Sequence, residues 1–148
     1  MRPLSASAPL ATDLALLVLR LVIGGVMVAH GAQKLFAQGL DATVAGFAGM
    51  GVPMPQIAAP LVIGVELVGG ALIVLGAALP IVGLLVAIDM AVALALVHAP
   101  FGVFVAEGGW ELVAALGAGA LALAVVGGGR IGVDGMLGGR SRRRRARA

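Results

Sequence analysis

Residues 57–98 read IAAPLVIGVELVGGALIVLGAALPIVGLLVAIDMAVALALVH, and this stretch decides the fold class. Apart from the histidine at its end, its only ionisable side chains are Glu66 and Asp89. A helix needs about 20 mainly apolar residues to cross about 30 Å of hydrocarbon, so the stretch is long enough for two crossings. Because Gly76 is typical of a helix end and Pro80 of a first helical position, the sequence predicts two spanning helices joined by a tight turn.

The rest of the 148-residue chain has the same character. Hydrophobic residues make up 61% of it and charged residues 11%, whereas soluble domains average about 45–50% and about 25%. The chain contains no cysteine, which excludes a disulfide framework, a thiol redox pair and thiolate metal sites. The composition therefore predicts an integral membrane protein and excludes a water-soluble domain.

Four segments are long and apolar enough to be read as spans: Leu14–Phe36, Ile57–Leu75, Ile81–His98 and Trp110–Val126. We therefore predict an all-α fold, a four-helix transmembrane bundle over residues 14–134. It lies between an N-terminal tail of residues 1–13 and an Arg-rich tail of residues 135–148. The interval 37–56 contains too many glycines and prolines for a span, but we expect Val44, Phe47 and Ala48 to form a short interfacial helix.

The distribution of basic residues sets the expected orientation. Seven of the ten Lys and Arg residues follow Val126, and the intervals 37–56 and 99–109 contain none. The positive-inside rule then places both termini on the cytoplasmic side, and we expect a bacterial inner membrane. We expect the Arg-rich tail to contact anionic lipids and, since no aromatic residues accompany it, not to bind nucleic acid. Because Arg20 interrupts the first apolar segment, we expect a span there and not a cleaved signal peptide.

Three ionisable residues fall inside three different predicted spans. Counting about 1.5 Å per residue along each helix places Arg20, Glu66 and Asp89 in one layer near the middle of the membrane. An isolated charge there costs several kcal/mol, so we predict an ion pair between Arg20 and one of the two acids. The other carboxyl would be free to carry a proton. The alternative is a purely structural role for this midplane charge cluster, fixing the register of the helices.

A second polar layer is predicted near the opposite, outer face. His30 and His98 lie at equal depth, Lys34 lies one turn further along, and Glu111 begins the fourth span. Imidazole, ammonium and carboxylate groups below an apolar rim suit a quinone headgroup, which needs hydrogen-bond donors and a path for protons. The alternative is that these are simply hydrated groups at helix ends. None of these residues has the spacing of a metal-ligand pair, so we expect no metal site.

Helical geometry limits how the two layers connect. Asp89 and His98 are nine residues apart, which on an ideal helix places them on nearly opposite faces. We therefore expect no proton path from Asp89 to His98, and Glu66 is the better candidate relay.

Four stretches of the chain resemble the DoxX family of small four-helix membrane proteins. They are RLVIGGVMVAHGAQKLF (residues 20–36), GMGVPMPQIAAPLVIGVELVGGALIVLG (49–76), HAPFGVFVAEGGWE (98–111) and GGGRIGVD (127–134). The residues that the resemblance carries over are Arg20, His30, Gly31, Lys34, Glu66, His98, Gly108, Gly109 and Glu111.

The resemblance also implies a functional class. The family takes its name from a small subunit of a thiosulfate:quinone oxidoreductase, and other members are associated with membrane complexes in superoxide detoxification and sulfur transfer. It thus implies a quinone-interacting or redox-associated subunit of such a complex, with a quinone bound non-covalently. Because the chain has no thiol and no dinucleotide-binding glycine motif, electrons would come from a protein partner. Two alternatives stay open, a non-enzymatic scaffold for soluble partners and a small proton-coupled transporter, and a homo-oligomer is a further possible assembly.

Overall fold

The computed structural model describes residues 8–137, and within that range the chain is helical without a β-strand. Helix α1 runs over Ala8–Ala32 and continues through a π-helical turn, Gln33–Gln38. Helix α2 is short, Leu40–Gly49, and it is the helix that the apolar residues of this interval predicted. Residues 8–13, assigned from sequence to the N-terminal tail, belong to α1, whereas Arg2 and residues 138–148 lie outside the described part of the chain.

Three further helices follow. Helix α3 comprises Pro55–Gly64, a π-helical turn at Val65–Gly69, and Gly70–Leu75. Helix α4 comprises Leu79–Ala93 and a π-helical turn at Leu94–His98. The short 3₁₀ turns Ala99–Phe101 and Val105–Glu107 lead to α5, which is Glu111–Val126.

Three of these helices are long and apolar enough to cross a membrane: Leu10–Gln38, Pro55–Leu75 and Leu79–Phe101. Helix α5 is equally apolar but has 16 residues, about 24 Å at 1.5 Å per residue. The predicted all-α class is therefore confirmed, the first three predicted segments form long apolar helices, and the fourth forms a shorter one.

The turn between α3 and α4 forms where the sequence placed it. Gly76 ends α3 in the left-handed region with φ 69°, and its amide donates to Ile73 O at 3.0 Å. Asp134 then accepts hydrogen bonds from the amides of Ala78 (2.9 Å) and Leu79 (3.1 Å), which have no partner inside α4. The segment after α5 thereby closes this turn.

Close backbone contact sets the register between the helices. A Cβ atom at Gly24 would lie 2.6 Å from Gly70 O, and one at Gly31 would lie 2.9 Å from Leu67 N. Helices α1 and α3 are therefore antiparallel and packed backbone to backbone, as small residues allow in membranes. Gly83 of α4 packs in the same way on α5, where its Cβ would lie 2.7 Å from Ala120 O.

The bundle has two distinct ends. The terminal end contains the α3–α4 turn and residues 127–134, and there Arg130 Nε lies 2.6 Å from Asp13 Oδ2. The loop end contains α2 and residues 99–110. Between them lies an apolar core whose fully buried members include Met27, Ile73, Val86 and Leu123.

Candidate functional site

All five helices contribute to a cavity of about 380 Å³ in the loop-end half of the bundle. Most of its lining is apolar, including Met27, Phe47 and Leu116. Its ionisable lining residues are His30, Lys34, Glu66, Asp89 and His98.

An ion pair forms one wall of the cavity. Lys34 Nζ donates to both Oε1 and Oε2 of Glu66, each at 2.7 Å. The Glu66 side chain is only 4% exposed and that of Lys34 19%, so the charges neutralise each other out of water. Gly31, one turn before Lys34, leaves the space in which α3 approaches closely enough for this contact.

This pair joins residues that the sequence assigned to two separate layers. Depth counting used Cα positions, whereas side chains tilt toward the N-terminus of their own helix. Because α1 and α3 are antiparallel, Lys34 leans toward the terminal end and Glu66 leans toward the loop end. The two side chains therefore lean toward each other, which makes up for the separation of their Cα atoms along the bundle axis.

Asp89 of α4 lies in the same cavity, and its carboxylate has no hydrogen-bond partner among the described residues. Its Oδ2 atom is buried and has no hydrogen bond to any described residue. Its side chain lines the cavity together with Lys34 and Glu66. A buried polar atom without a partner costs free energy, so it is a position at which a ligand atom would be stabilised.

Both histidines are held through the same ring nitrogen. His30 Nδ1 lies 2.9 Å from Val26 O, and His98 Nδ1 lies 2.7 Å from Gly108 O. A carbonyl oxygen only accepts, so each Nδ1 donates and carries a proton. Each Nε2 is left without a partner among the described residues, and in a neutral ring it is an acceptor.

Three of the ionisable residues that line the cavity lie in π-helical turns. Lys34, Glu66 and His98 lie in the π-helical turns of α1, α3 and α4, respectively. Such turns insert a residue into an α-helix and occur frequently at functional sites, because they redirect side chains.

The turn in α4 corrects the expectation that Asp89 and His98 occupy opposite faces. Nine residues at about 100° each give an offset of about 180° in an ideal helix. The inserted residue of the Leu94–His98 turn reduces the offset to about 80°. Both side chains consequently line one cavity.

Glu111, which the sequence placed in the same pocket, does not line the cavity. Its Oε1 accepts a hydrogen bond from Val105 N at 2.8 Å and so holds the loop that leads into α5. A glutamate at a helix start is well placed for such a contact, since free backbone N–H groups lie nearby.

Arg20 hydrogen-bonds to backbone carbonyls and pairs with neither acid, so the predicted ion pair between Arg20 and Glu66 or Asp89 is wrong. Its side chain is buried at the terminal end, where Nη1 donates to Gly128 O (2.7 Å) and Nη2 to Val74 O (3.2 Å). A guanidinium can satisfy carbonyls at a helix C-terminus as well as a carboxylate. The midplane charge cluster is thus divided, and only Glu66 and Asp89 remain together.

The sequence reading missed the apolar side of the site that α2 and the following residues supply. Phe47, Met50 and Val52 line the cavity there. Thr43 is buried and fixes α2 to the end of α1, because its Oγ1 donates to Lys34 O at 3.0 Å. The apolar spacing within α2 predicted a helix at the membrane surface but not the cavity beneath it.

Within residues 8–137 no three His, Asp or Glu side chains are grouped so that they could hold a metal ion.

The DoxX family profile matches residues 15–99, more than half of the chain, and this range includes all five ionisable residues of the cavity. The chain belongs to the DoxX family. No curated protein and no solved structure matches it. The family match ends at the start of the loop before α5, so the resemblance of residues 100–134 remains a prediction.

Proposed function

We propose that this DoxX-family chain is a quinone-binding subunit of a membrane oxidoreductase complex, and that the loop-end cavity is its binding site. The observation that supports this most strongly is the composition of the cavity wall. A mainly apolar lining carries an ion pair, an acid with an unpartnered buried oxygen and two histidines with free Nε2 atoms. A quinone has the complementary form, an apolar ring with polar atoms at its two ends.

The dimensions agree with a ring-sized ligand. A volume of about 380 Å³ falls in the range of about 300–1,000 Å³ that small-molecule pockets occupy. Apolar side chains such as Met27, Phe47 and Leu116 would contact the faces of the ring. The polar side chains would then select its orientation, as sparse polar groups do in apolar pockets.

The ionisable groups also suit the proton chemistry of a quinone. Reduction of the ring takes up two electrons and two protons, and the protons can pass through imidazole and carboxyl groups. Asp89 and His98, which the π-helical turn brings to one cavity, are the pair we propose for this transfer. The electrons would be supplied by a partner protein of the complex.

We also infer that α5 is the fourth span and that the terminal end faces the cytoplasm of a bacterial inner membrane. A helix of about 24 Å is shorter than a typical hydrocarbon core, but thinning of the bilayer accommodates such a difference. The Arg excess after α5 supports the orientation. On the same ground we propose that anionic lipids are the partners of these arginines.

The proposal is tested by filling the cavity without removing a polar group. Ala93 lines the cavity, whereas Ala91, two residues earlier on α4, is exposed toward lipid. We expect the full-length protein in lipid nanodiscs to bind a quinone with a decyl tail. Ala93→Phe should weaken binding at least about tenfold, because the ring occupies ligand space.

Ala91→Phe is the matched control, since it adds the same side chain to the outer surface and should bind like the parent protein. Circular dichroism and size-exclusion profiles show whether each variant is folded. The absence of binding by the parent protein, or equal binding by a folded Ala93→Phe variant, would rule out the cavity as a quinone site.

A further inference from the structure

The side-chain polar atoms left free in the cavity are almost all acceptors. With Nδ1 of both histidines donating to backbone carbonyls, Nε2 of His30 and Nε2 of His98 each offer a lone pair. The buried Oδ2 of Asp89 is a third free position, and an ionised carboxylate only accepts.

Free donors are scarce by comparison. Lys34 has three N–H bonds, and two of them are directed to the two oxygens of Glu66. One N–H of Lys34 is therefore the donor that these cavity side chains leave for a ligand when both imidazoles are neutral. At least three free acceptor atoms therefore face this one donor.

We infer that the cavity binds the reduced ring, the hydroquinone, more tightly than the oxidised quinone. This inference rests on the proposed function. A quinone has two carbonyl oxygens that only accept, so it can use the single free donor. A hydroquinone has two hydroxyl groups that donate, and one of them can form a charge-assisted hydrogen bond to Asp89, the stronger kind.

The inference is tested by comparing the two redox forms of one ligand on the full-length protein. Dissociation constants for a decyl benzoquinone and its two-electron-reduced form are measured in nanodiscs without oxygen. The measurement is made at pH 8, above the range in which an ordinary imidazole takes up its second proton. We expect the reduced form to bind at least about tenfold tighter, the effect of one hydrogen bond to a charged group.

Two variants remove the excess of acceptors in different ways. Asp89→Asn keeps the shape but supplies an amide donor, and His98→Phe removes one acceptor. Each should lower the ratio of the two affinities several-fold. Asp41→Asn makes the same chemical change at an exposed residue of α2 and should leave the ratio unchanged.

The outcomes separate the inference from the proposal on which it rests. Binding of both forms with equal affinity, or tighter binding of the quinone, overturns the inference and leaves the quinone site standing. An unchanged ratio in both folded variants also overturns it. Binding of neither form overturns both the inference and the proposed function.

Discussion

The Lys34–Glu66 pair shows how a single contact can organise a membrane site. Neither charge is tolerated alone in an apolar interior, so each needs the other. Lys34 comes from α1 and Glu66 from α3, and the contact therefore fixes the rotation of both helices around the cavity. Asp89 remains the acid in the cavity without a partner for its buried oxygen.

Removal of one member of the pair should be more harmful than removal of both. Lys34→Met leaves the Glu66 carboxylate buried without a cation, and Glu66→Gln leaves the ammonium group without an anion. We expect each to lower the free energy of unfolding by about 3–5 kcal/mol. The double variant should lose less, since no uncompensated charge remains.

Unfolding in mixed micelles, followed by circular dichroism, measures these differences. Glu107→Gln is the control, because Glu107 lies exposed in the loop before α5. A double variant whose loss equals the sum of the two single losses would show that the residues do not interact.

For these residues, the sequence indicated which side chains lie near one another better than it indicated which ones pair. His30, Lys34 and His98 were expected in one pocket and do line one cavity. Arg20 was assigned to the acids because Leu14 was taken to lie level with the ends of the other helices, whereas Arg20 itself lies level with the end of α3. The axial alignment of neighbouring helices decides which groups lie near a buried cation. That alignment cannot be read from the sequence of one helix.

Among the elements, the contact between α1 and α3 offers a sharp comparison of two adjacent glycines. A Cβ at Gly24 would meet Gly70 O at 2.6 Å and Val74 N at 2.9 Å, whereas one at Gly25 would meet nothing within 4 Å. Gly24→Ala should therefore destabilise the fold by about 1–3 kcal/mol through overpacking. Gly25→Ala should be neutral or slightly stabilising, since alanine is the better helix former.

Thermal unfolding of both variants in the same detergent tests this contact. The size of the difference between them measures how closely the two backbones approach. Equal stability of the two variants would mean that α1 and α3 are not packed through this face.

The π-helical turn of α4 can be tested by deletion. Ala95 lies within the turn and faces outward, so its removal converts the turn to regular α-helix and rotates His98 by about 100°. We expect a folded protein whose affinity for the decyl quinone falls at least about tenfold, because His98 no longer faces the cavity.

Substitution of Ala95 by glycine is the control. It keeps the number of residues in α4 and should therefore retain binding. Undiminished binding by the deletion variant would indicate that the orientation of His98 is not set by this turn.

The elements themselves were largely predictable. The apolar lengths, the Gly76 end signal and Pro80 placed the α3–α4 hairpin correctly. The π-helical turns were not predictable, because they result from packing at the site and have no local signal of their own. Their absence from an ideal-helix count is why Asp89 and His98 were assigned to opposite faces.

For the whole molecule, the proposed orientation predicts that the loop end is accessible to reagents outside the cell and that the terminal end is not. The chain lacks cysteine, so single cysteines report position without interference. Gly49 and Glu107 are exposed at the loop end, and Met136 is exposed beyond α5. In intact cells we expect an impermeant maleimide to label cysteines at positions 49 and 107 but not at 136.

Labelling after membrane permeabilisation confirms that the cysteine at 136 is reactive. External labelling at 136 in intact cells would contradict the orientation inferred from the arginines and place the cavity toward the cytoplasm.

Photo-crosslinking shows whether the cavity of the loop-end half holds a quinone-type ring. The protein in its native membrane is irradiated with an azido-quinone, and the modified residues are identified by mass spectrometry. We expect adducts on cavity residues such as Phe47, Met50 and Leu116, suppressed by excess unlabelled quinone. Adducts confined to lipid-facing residues such as Ile81 and Leu84, without competition, would contradict this expectation.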